Sequence, residues 1–433
     1  MIKFLNFRFF LAILIIVVYF LYRNNQNFFE KKAPIIVIDQ NVLDSLKIDF
    51  EDKETGLSEV IVRINQRRKK ITFIKEKIKN KKHIINLDFK EIQENLKPGS
   101  YELEIKAFDR SFWVNSETLK LNLTVDSQLP RIEIVSRMHN GRRGGLQLAV
   151  YNVEERNLKS TGIRVKDQLF PSFRTDFIED SIYKKKVYSF YKVPFDTEIN
   201  SKDIQVYAED FSGNINYKSF YNLLLNPKSN KRILSFSEKS FYDRLKILKK
   251  EDHKKSLDSG LLNLDSIIGL VLSDQKKIKE DYNFKFPIKF LNPSSYLRYG
   301  YNDLLEIFID EQKINYNLTG LYFTHSLKPV LSSVKGKILF AGDIPIHGRG
   351  YIVEPFKNFI IIYAGFSDLN FKTGDMIKES EELGQVSKGQ GISDGLYFEM
   401  RYLNNSINPM EWFDKEWVKQ HIHWRYDVNQ IKY

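Results

Sequence analysis

The chain has 433 residues, long enough for two to four domains. Its 42% apolar content, with 33 Phe and 23 Tyr, supplies ample core and excludes a disordered protein. The formal charge of +12 comes with Lys, Ile and Asn spread everywhere and with no dense Arg/Lys stripe, so no nucleic-acid partner is expected. Cysteine is absent, which excludes disulfides, thiolate zinc sites and a lipobox cysteine, and is compatible with an extracytoplasmic compartment.

The first element is apolar. Phe9 to Tyr22 is an unbroken hydrophobic run that spans about 21 Å as a helix, and extension back to Phe4 gives about 28 Å, close to a hydrocarbon core. Asn6 and Arg8 fall inside that extension and can snorkel to the interface. The run ends in Phe20-Leu21-Tyr22-Arg23 with no small-x-small cleavage site. Residues 1–25 are therefore expected to be a cytoplasmic stub and an uncleaved transmembrane signal anchor. The charge bias is weak, since Arg23, Lys31 and Lys32 lie on the far side.

From Pro34 to about Leu225 short alternating runs recur, such as Leu46–Phe50, Val60–Ile64 and Tyr101–Ile105. Leu57, Ala107 and Asp109 reappear 101 positions later as Leu158, Ala208 and Asp210, and Val62 and Ile64 match Ile163 and Val165. The offset suits two Ig-like β-sandwiches, at 34–127 and 128–226. No ligand or nucleophile cluster marks either, so spacers or binding arms are expected. Residues 227–290 change character. Ser235-Phe236-Ser237-Glu238 reads as a capping box, Phe241, Leu245 and Leu248 follow at helical spacing, and Leu261 to Leu272 is a second apolar stretch. This predicts a helical connector packed on the next domain.

Residues 291–415, before a tail at 416–433, carry the ordered motifs. They are Gly320-Leu321-Tyr322-Phe323, Pro329-Val330, Gly336-Lys337-Ile338-Leu339-Phe340-Ala341-Gly342, Ile361-Ile362-Tyr363-Ala364-Gly365, Gly395-Leu396-Tyr397-Phe398-Glu399 and Asn408-Pro409-Met410-Glu411-Trp412. Their order and spacing resemble the M23 (LytM-type) peptidoglycan endopeptidase domain. The fold expected for the whole chain is mainly β: an N-terminal transmembrane helix, two Ig-like sandwiches, a helical connector and a C-terminal LytM-like β-sheet domain.

The resemblance implies a zinc held by His-x-x-x-Asp and by the second histidine of His-x-His, with two further histidines assisting the water. Imidazole and carboxylate hold zinc tetrahedrally and leave one position for water, whose pKa the metal lowers. In this chain the corresponding positions carry Leu318, Tyr322, Gly365, Gly395 and Tyr397. None is a good zinc ligand, so no cofactor is expected. His325, the Asp343/His347 pair and His421/His423 are the remaining candidates for a metal, with solvated or tail histidines the default reading. Tyr322, Tyr363, Tyr397 and Glu399 are candidates to line a groove for glycan or peptide, or else fill the space the metal vacated.

The resemblance implies a membrane-anchored, extracytoplasmic regulator or scaffold of peptidoglycan hydrolysis, since degenerate LytM domains are known as activators of cell-wall amidases. Its partners would be peptidoglycan or such a hydrolase, and its place the inner membrane with the bulk of the chain periplasmic. The alternatives are an active zinc metalloendopeptidase cleaving peptidoglycan cross-links, and a structural envelope adhesin.

Overall fold

The computed structural model describes residues 2–24, 29–39, 45–66, 69–88, 96, 99–125, 127–137, 139–174, 184–195, 198–226, 229–273, 295–324, 328–356 and 358–426. Of the sequence candidates, His325 lies outside the described residues. The chain divides into two compact units. One is Met1–Arg131 with Glu155–Ser160 and Ala208–Asn216; the other is Ile132–Glu154, Thr161–Tyr207 and Tyr217–Tyr433.

The N-terminal run forms one helix, α1 (Ile2–Asn24). Among the described residues no helix is long and apolar enough to cross a membrane. The expected transmembrane helix is therefore not found among the described residues, although the side chains of α1 from Phe9 to Phe20 are all exposed.

Residues 35–125 form two antiparallel sheets. One has the order Ile35–Asp39, Ser45–Glu51, Lys82–Asp88, and the other Lys69–Lys77, Leu57–Gln66, Gly99–Asp109, Ser116–Val125. Alternation along each strand sends Ile48 and Phe50 from the first sheet, and Val60, Val62, Leu103 and Ile105 from the second, into one shared core. The next module also has two sheets, here of four strands each: Phe173–Arg174, Lys184–Lys192, Leu146–Glu154, Arg131–Ile134, and Gln168–Pro171, Leu158–Val165, Ile204–Asp210, Ile215–Ser219. The 101-residue offset survives in the hydrogen bonds. Arg110 N–H donates to the Gly56 carbonyl at 3.0 Å, and Phe211 N–H donates to the Asn157 carbonyl at 2.9 Å.

The connector contains a strand as well as helices. Lys231–Phe236 pairs in parallel with Leu304–Ile309, which pairs with Gln312–Asn317. Ser235 lies in that strand, so the N-cap of the following helix is Ser237, whose hydroxyl accepts from the Ser240 N–H at 3.3 Å. This helix, α2 (Glu238–Leu245), buries Phe241 and Leu245 and stops at Lys246 in a left-handed conformation. Leu248 consequently falls beyond the helix and is exposed, while Ile247 is buried in its place. The longer α3 (His253–Ser273) buries Leu257, Leu264 and Ile268 in the same core as the C-terminal sheet.

That sheet runs Leu297–Tyr299, Leu321–Phe323, Leu396–Tyr402, Phe359–Ala364, Gly348–Phe356, Gly336–Ile344, Met376–Ile377, with Asn405–Ile407 beside Leu396–Tyr402. Within the second unit it meets the preceding module. Phe190 contacts Tyr402 edge to face and packs against Trp412. Glu411 accepts the Arg142 N–H at 2.9 Å.

Candidate functional site

Strand register decides which side chains gather. Tyr322 pairs with Tyr397, and Tyr397 with Ala364, so these three share one face of the sheet. Alternation along Leu396–Tyr402 then places Glu399 and Arg401 on that face too. Tyr363 pairs with Phe398 and lies on the opposite face, where its hydroxyl bonds the Ser333 hydroxyl and accepts the Ser333 N–H. The four candidate groove residues are thus not one lining: Tyr322, Tyr397 and Glu399 come together and Tyr363 does not. All four are at most 1% exposed, so none lines an open groove.

The former ligand positions are filled by packing. Leu318, Tyr322 and Tyr397 belong to the core shared with α3. Gly365 (φ +102°) and Gly395 (φ +125°) hold left-handed backbone. A Cβ added at Gly365 would lie 2.3 Å from the Gly395 carbonyl oxygen, so this backbone has no room for a histidine there.

His347 was expected in a solvated loop, and the structure corrects this: it is fully buried beside Tyr322 and Tyr397. Its ring stacks on Tyr397 with centroids 3.5 Å apart and planes 4° apart. Its Nδ1 shares a hydrogen bond with the Tyr322 hydroxyl at 2.8 Å, and its Nε2 is buried without a partner. The cause lies in the turn between Gly336–Ile344 and Gly348–Phe356. Ile346 adopts φ +61°, a conformation costly for a β-branched residue, and is itself fully buried. In α3, Gly260 leaves room for it: a Cβ there would meet Ile346 Cγ2 at 2.9 Å and Ile247 Cγ2 at 2.6 Å. Asp343 takes no part in the cluster; its carboxylate pairs with Lys246 at 2.8 Å, toward solvent. His421 is half-buried and stacks on Trp417.

A polar chain runs inward from the rings. The Tyr397 hydroxyl donates to Glu399 Oε2 at 2.8 Å, so the Thr319 hydroxyl, 3.0 Å away, donates to Tyr397. Arg401 Nε donates to Glu399 Oε1 at 2.8 Å, and Nη1 donates to Asp265 Oδ1 of α3 at 2.6 Å. Burial opposes the charge on Arg401, but Glu399 and Asp265 hold its pKa above the usual value. Burial pushes both Tyr322 and Tyr397 well above the ordinary tyrosine range and His347 well below the ordinary histidine range. The cluster therefore presents neutral rings around one internally compensated ion pair.

Zinc does not fit these residues. One imidazole nitrogen is engaged by Tyr322, and the single carboxylate of the cluster is neutralised by Arg401. Among the described residues, the one place where three His, Cys, Asp or Glu side chains converge is Glu30, Asp52 and Asp109, in the first unit.

The helices close the face. The Leu245 carbonyl accepts the Ile346 N–H at 3.2 Å, and the Arg244 carbonyl accepts the Gly391 N–H at 3.0 Å. Arg244 also holds Asp394, the residue before Gly395, at 2.7 Å. Sequence reasoning missed Thr319, Arg401 and Asp265, and named His347 only as a metal candidate beside Asp343. A usable signal was present for one of them: Tyr397, Glu399 and Arg401 alternate in a strand, which puts three polar side chains on one face.

Residues 319–409 match the model of Peptidase family M23. Among curated proteins the chain is 38% identical over 76 residues to cell division protein DipM of Caulobacter vibrioides, covering 17% of this chain and 12% of that protein. It is 28% identical over 85 residues to the NlpD/LppB homolog of Buchnera aphidicola, covering 19% and 25%. An uncharacterized protein of Neisseria meningitidis is 27% identical over 93 residues, covering 22% and 16%. The matched region is thus a quarter or less of the length of each relative. Among solved structures, an M23 peptidase structure from Pseudomonas aeruginosa aligns with TM-score 0.35 and 12% identity, over 61% of this chain and 93% of that one. The lysostaphin catalytic domain of Staphylococcus simulans aligns with TM-score 0.24 and 23% identity, over 27% and 91%.

Proposed function

From the premise that residues 319–409 are a Peptidase family M23 domain, we propose that this domain binds rather than cleaves, and that the chain regulates or scaffolds peptidoglycan hydrolysis. The observation that carries the reading is the filled site. Tyr322, Tyr397 and His347 occupy one another's contact surfaces, and no donor set for zinc is left among them. A buried, neutral imidazole beneath two helices has no path to a substrate proton.

The partner in this reading is a cell-wall hydrolase such as an amidase, or peptidoglycan itself. The domain would meet it by its outer surface, because Tyr322, Tyr363, Tyr397 and Glu399 are buried. The name of the similar Caulobacter protein, a cell division protein, agrees with a role in wall remodelling during division. The apolar run from Phe9 to Tyr22 supports anchoring in the inner membrane, with two Ig-like arms outside the cytoplasm.

The test is affinity capture from envelope extract with the full chain, followed by a wall-digestion assay on the recovered hydrolase. Greater hydrolase activity on mixing is the expected result. A chain that digests peptidoglycan alone, in a chelator-sensitive manner, contradicts the proposal and favours the metalloendopeptidase reading.

A further inference from the structure

At the start of the first module three carboxylates converge: Glu30, just before the first strand, Asp52, at the end of the second strand, and Asp109, at the end of Gly99–Asp109. One oxygen from each lies within 4.8 Å of the others. They are 7%, 4% and 1% exposed, so this is not a solvated acidic surface. Among the described residues no Lys or Arg pairs with any of the three. Burying three like charges without a counter-ion is costly.

The hydrogen bonds account for part of the acceptor capacity. Asp109 Oδ1 accepts from the Ser111 N–H and hydroxyl, and its Oδ2 accepts from Asn115 Nδ2. Asp52 Oδ1 accepts the Glu54 and Gly56 N–H groups, and Glu30 Oε2 accepts the Thr55 N–H. Asp52 Oδ2, by contrast, is buried with no partner, and so is the hydroxyl of the neighbouring Thr55. Lone pairs on a side chain this deeply buried, beside two further carboxylates, call for a positively charged occupant.

The internal repeat shows that the turn does not require these acids. The second copy keeps the aspartate, and a different asparagine serves it, with Asn214 Nδ2 donating to Asp210 Oδ2 at 2.8 Å. At the position 101 residues after Asp52 it has Val153, and no third carboxylate converges there among the described residues. Glu30 and Asp52 are therefore additions to the turn of the first copy.

We propose that Glu30, Asp52 and Asp109 form a calcium site that ties the segment before the first strand to the strand ends of the first module. An all-oxygen set is hard and suits calcium over zinc. Oxygens that share one calcium ion at about 2.4 Å are at most about 4.8 Å apart, and these three lie within that distance of one another. The Thr55 hydroxyl, backbone carbonyls and water would complete the shell.

The test is isothermal titration calorimetry of the full chain with calcium chloride, with magnesium chloride as the control, together with scanning calorimetry. The expected result is about one calcium per chain, not two, with a dissociation constant of about 1 mM or tighter and preference over magnesium. Saturating calcium should raise one unfolding transition by about 5 °C or more. The double variant Glu30→Gln with Asp52→Asn keeps the oxygen acceptors of the N–H groups and should lose at least about tenfold in affinity and the thermal shift. Its calcium-free transition should lie at or above that of the unaltered chain, which separates lost binding from lost fold; if it does not, Glu30→Gln alone carries the same expectation. Absence of calcium binding, or binding and thermal shift retained in the variant, overturns the site.

Discussion

Replacing Arg401 by methionine isolates the buried charge pair. In the folded chain Glu399 is fully buried and receives Arg401 Nε at 2.8 Å and the Tyr397 hydroxyl at 2.8 Å. Without the guanidinium, one carboxylate stays in the core with only a tyrosine donor. Such a loss costs about 3–5 kcal/mol. The other end of Arg401 is different, because the Asp265 side chain is 50% exposed; Asp265→Ala should cost at most about 1 kcal/mol. Replacing both partners, Glu399→Leu with Arg401→Met, removes the charge instead of stranding it. Tyr397 can then turn its hydroxyl to Thr319, 3.0 Å away. The double variant should lie within about 1 kcal/mol of the parent or above it. Guanidinium unfolding followed by tryptophan fluorescence reads this out, since Trp412, Trp417 and Trp424 all lie in the C-terminal part. Equal destabilisation by Arg401→Met and by the double variant would refute the reasoning.

Three further outcomes are expected. Gly365→Ala should destabilise by more than about 2 kcal/mol in the same assay, because φ is +102° and the Cβ meets the Gly395 oxygen; Gly365→His should do no better and should not recruit zinc. Tyr322→Phe leaves His347 Nδ1 unpaired and should cost about 1–3 kcal/mol, whereas Tyr322→Phe with His347→Phe should cost less by removing both polar groups. Burial pushes Glu411 up from 4.5 to about 7, against the lowering effect of the Arg142 N–H. The folded chain then holds a proton the unfolded chain has lost, so this contribution is full below pH 4.5 and falls by about 3 kcal/mol as pH rises to about 7. Glu411→Gln should flatten that part of the stability–pH curve relative to the parent.

Much of the C-terminal domain is legible because its motifs keep the order and spacing of a known family: Gly336-Lys337-Ile338, Ile361-Ile362-Tyr363 and Leu396-Tyr397-Phe398 lie in the strands Gly336–Ile344, Phe359–Ala364 and Leu396–Tyr402. The 101-residue repeat is legible from its common offset. His347 is not, because a histidine in a Pro-Ile-His-Gly turn carries no periodic signal; its inward aim depends on Ile346 fitting over Gly260, 86 residues earlier in the chain (346 − 260). Leu248 was assigned to a helix on spacing alone, and the left-handed Lys246 ends that helix first. Tyr363 and Tyr397 look equivalent as motif residues, yet one step of register sends them to opposite faces.

The central claim is that the domain at residues 319–409, matched by the M23 model, holds no catalytic metal. Zinc content of the purified full chain, measured by elemental analysis after incubation with excess zinc and desalting, tests it most directly, with muropeptide release measured on the same sample. The predicted result is well below one zinc per chain and no muropeptide release. About one zinc per chain, removed by chelator together with cleavage, would contradict it.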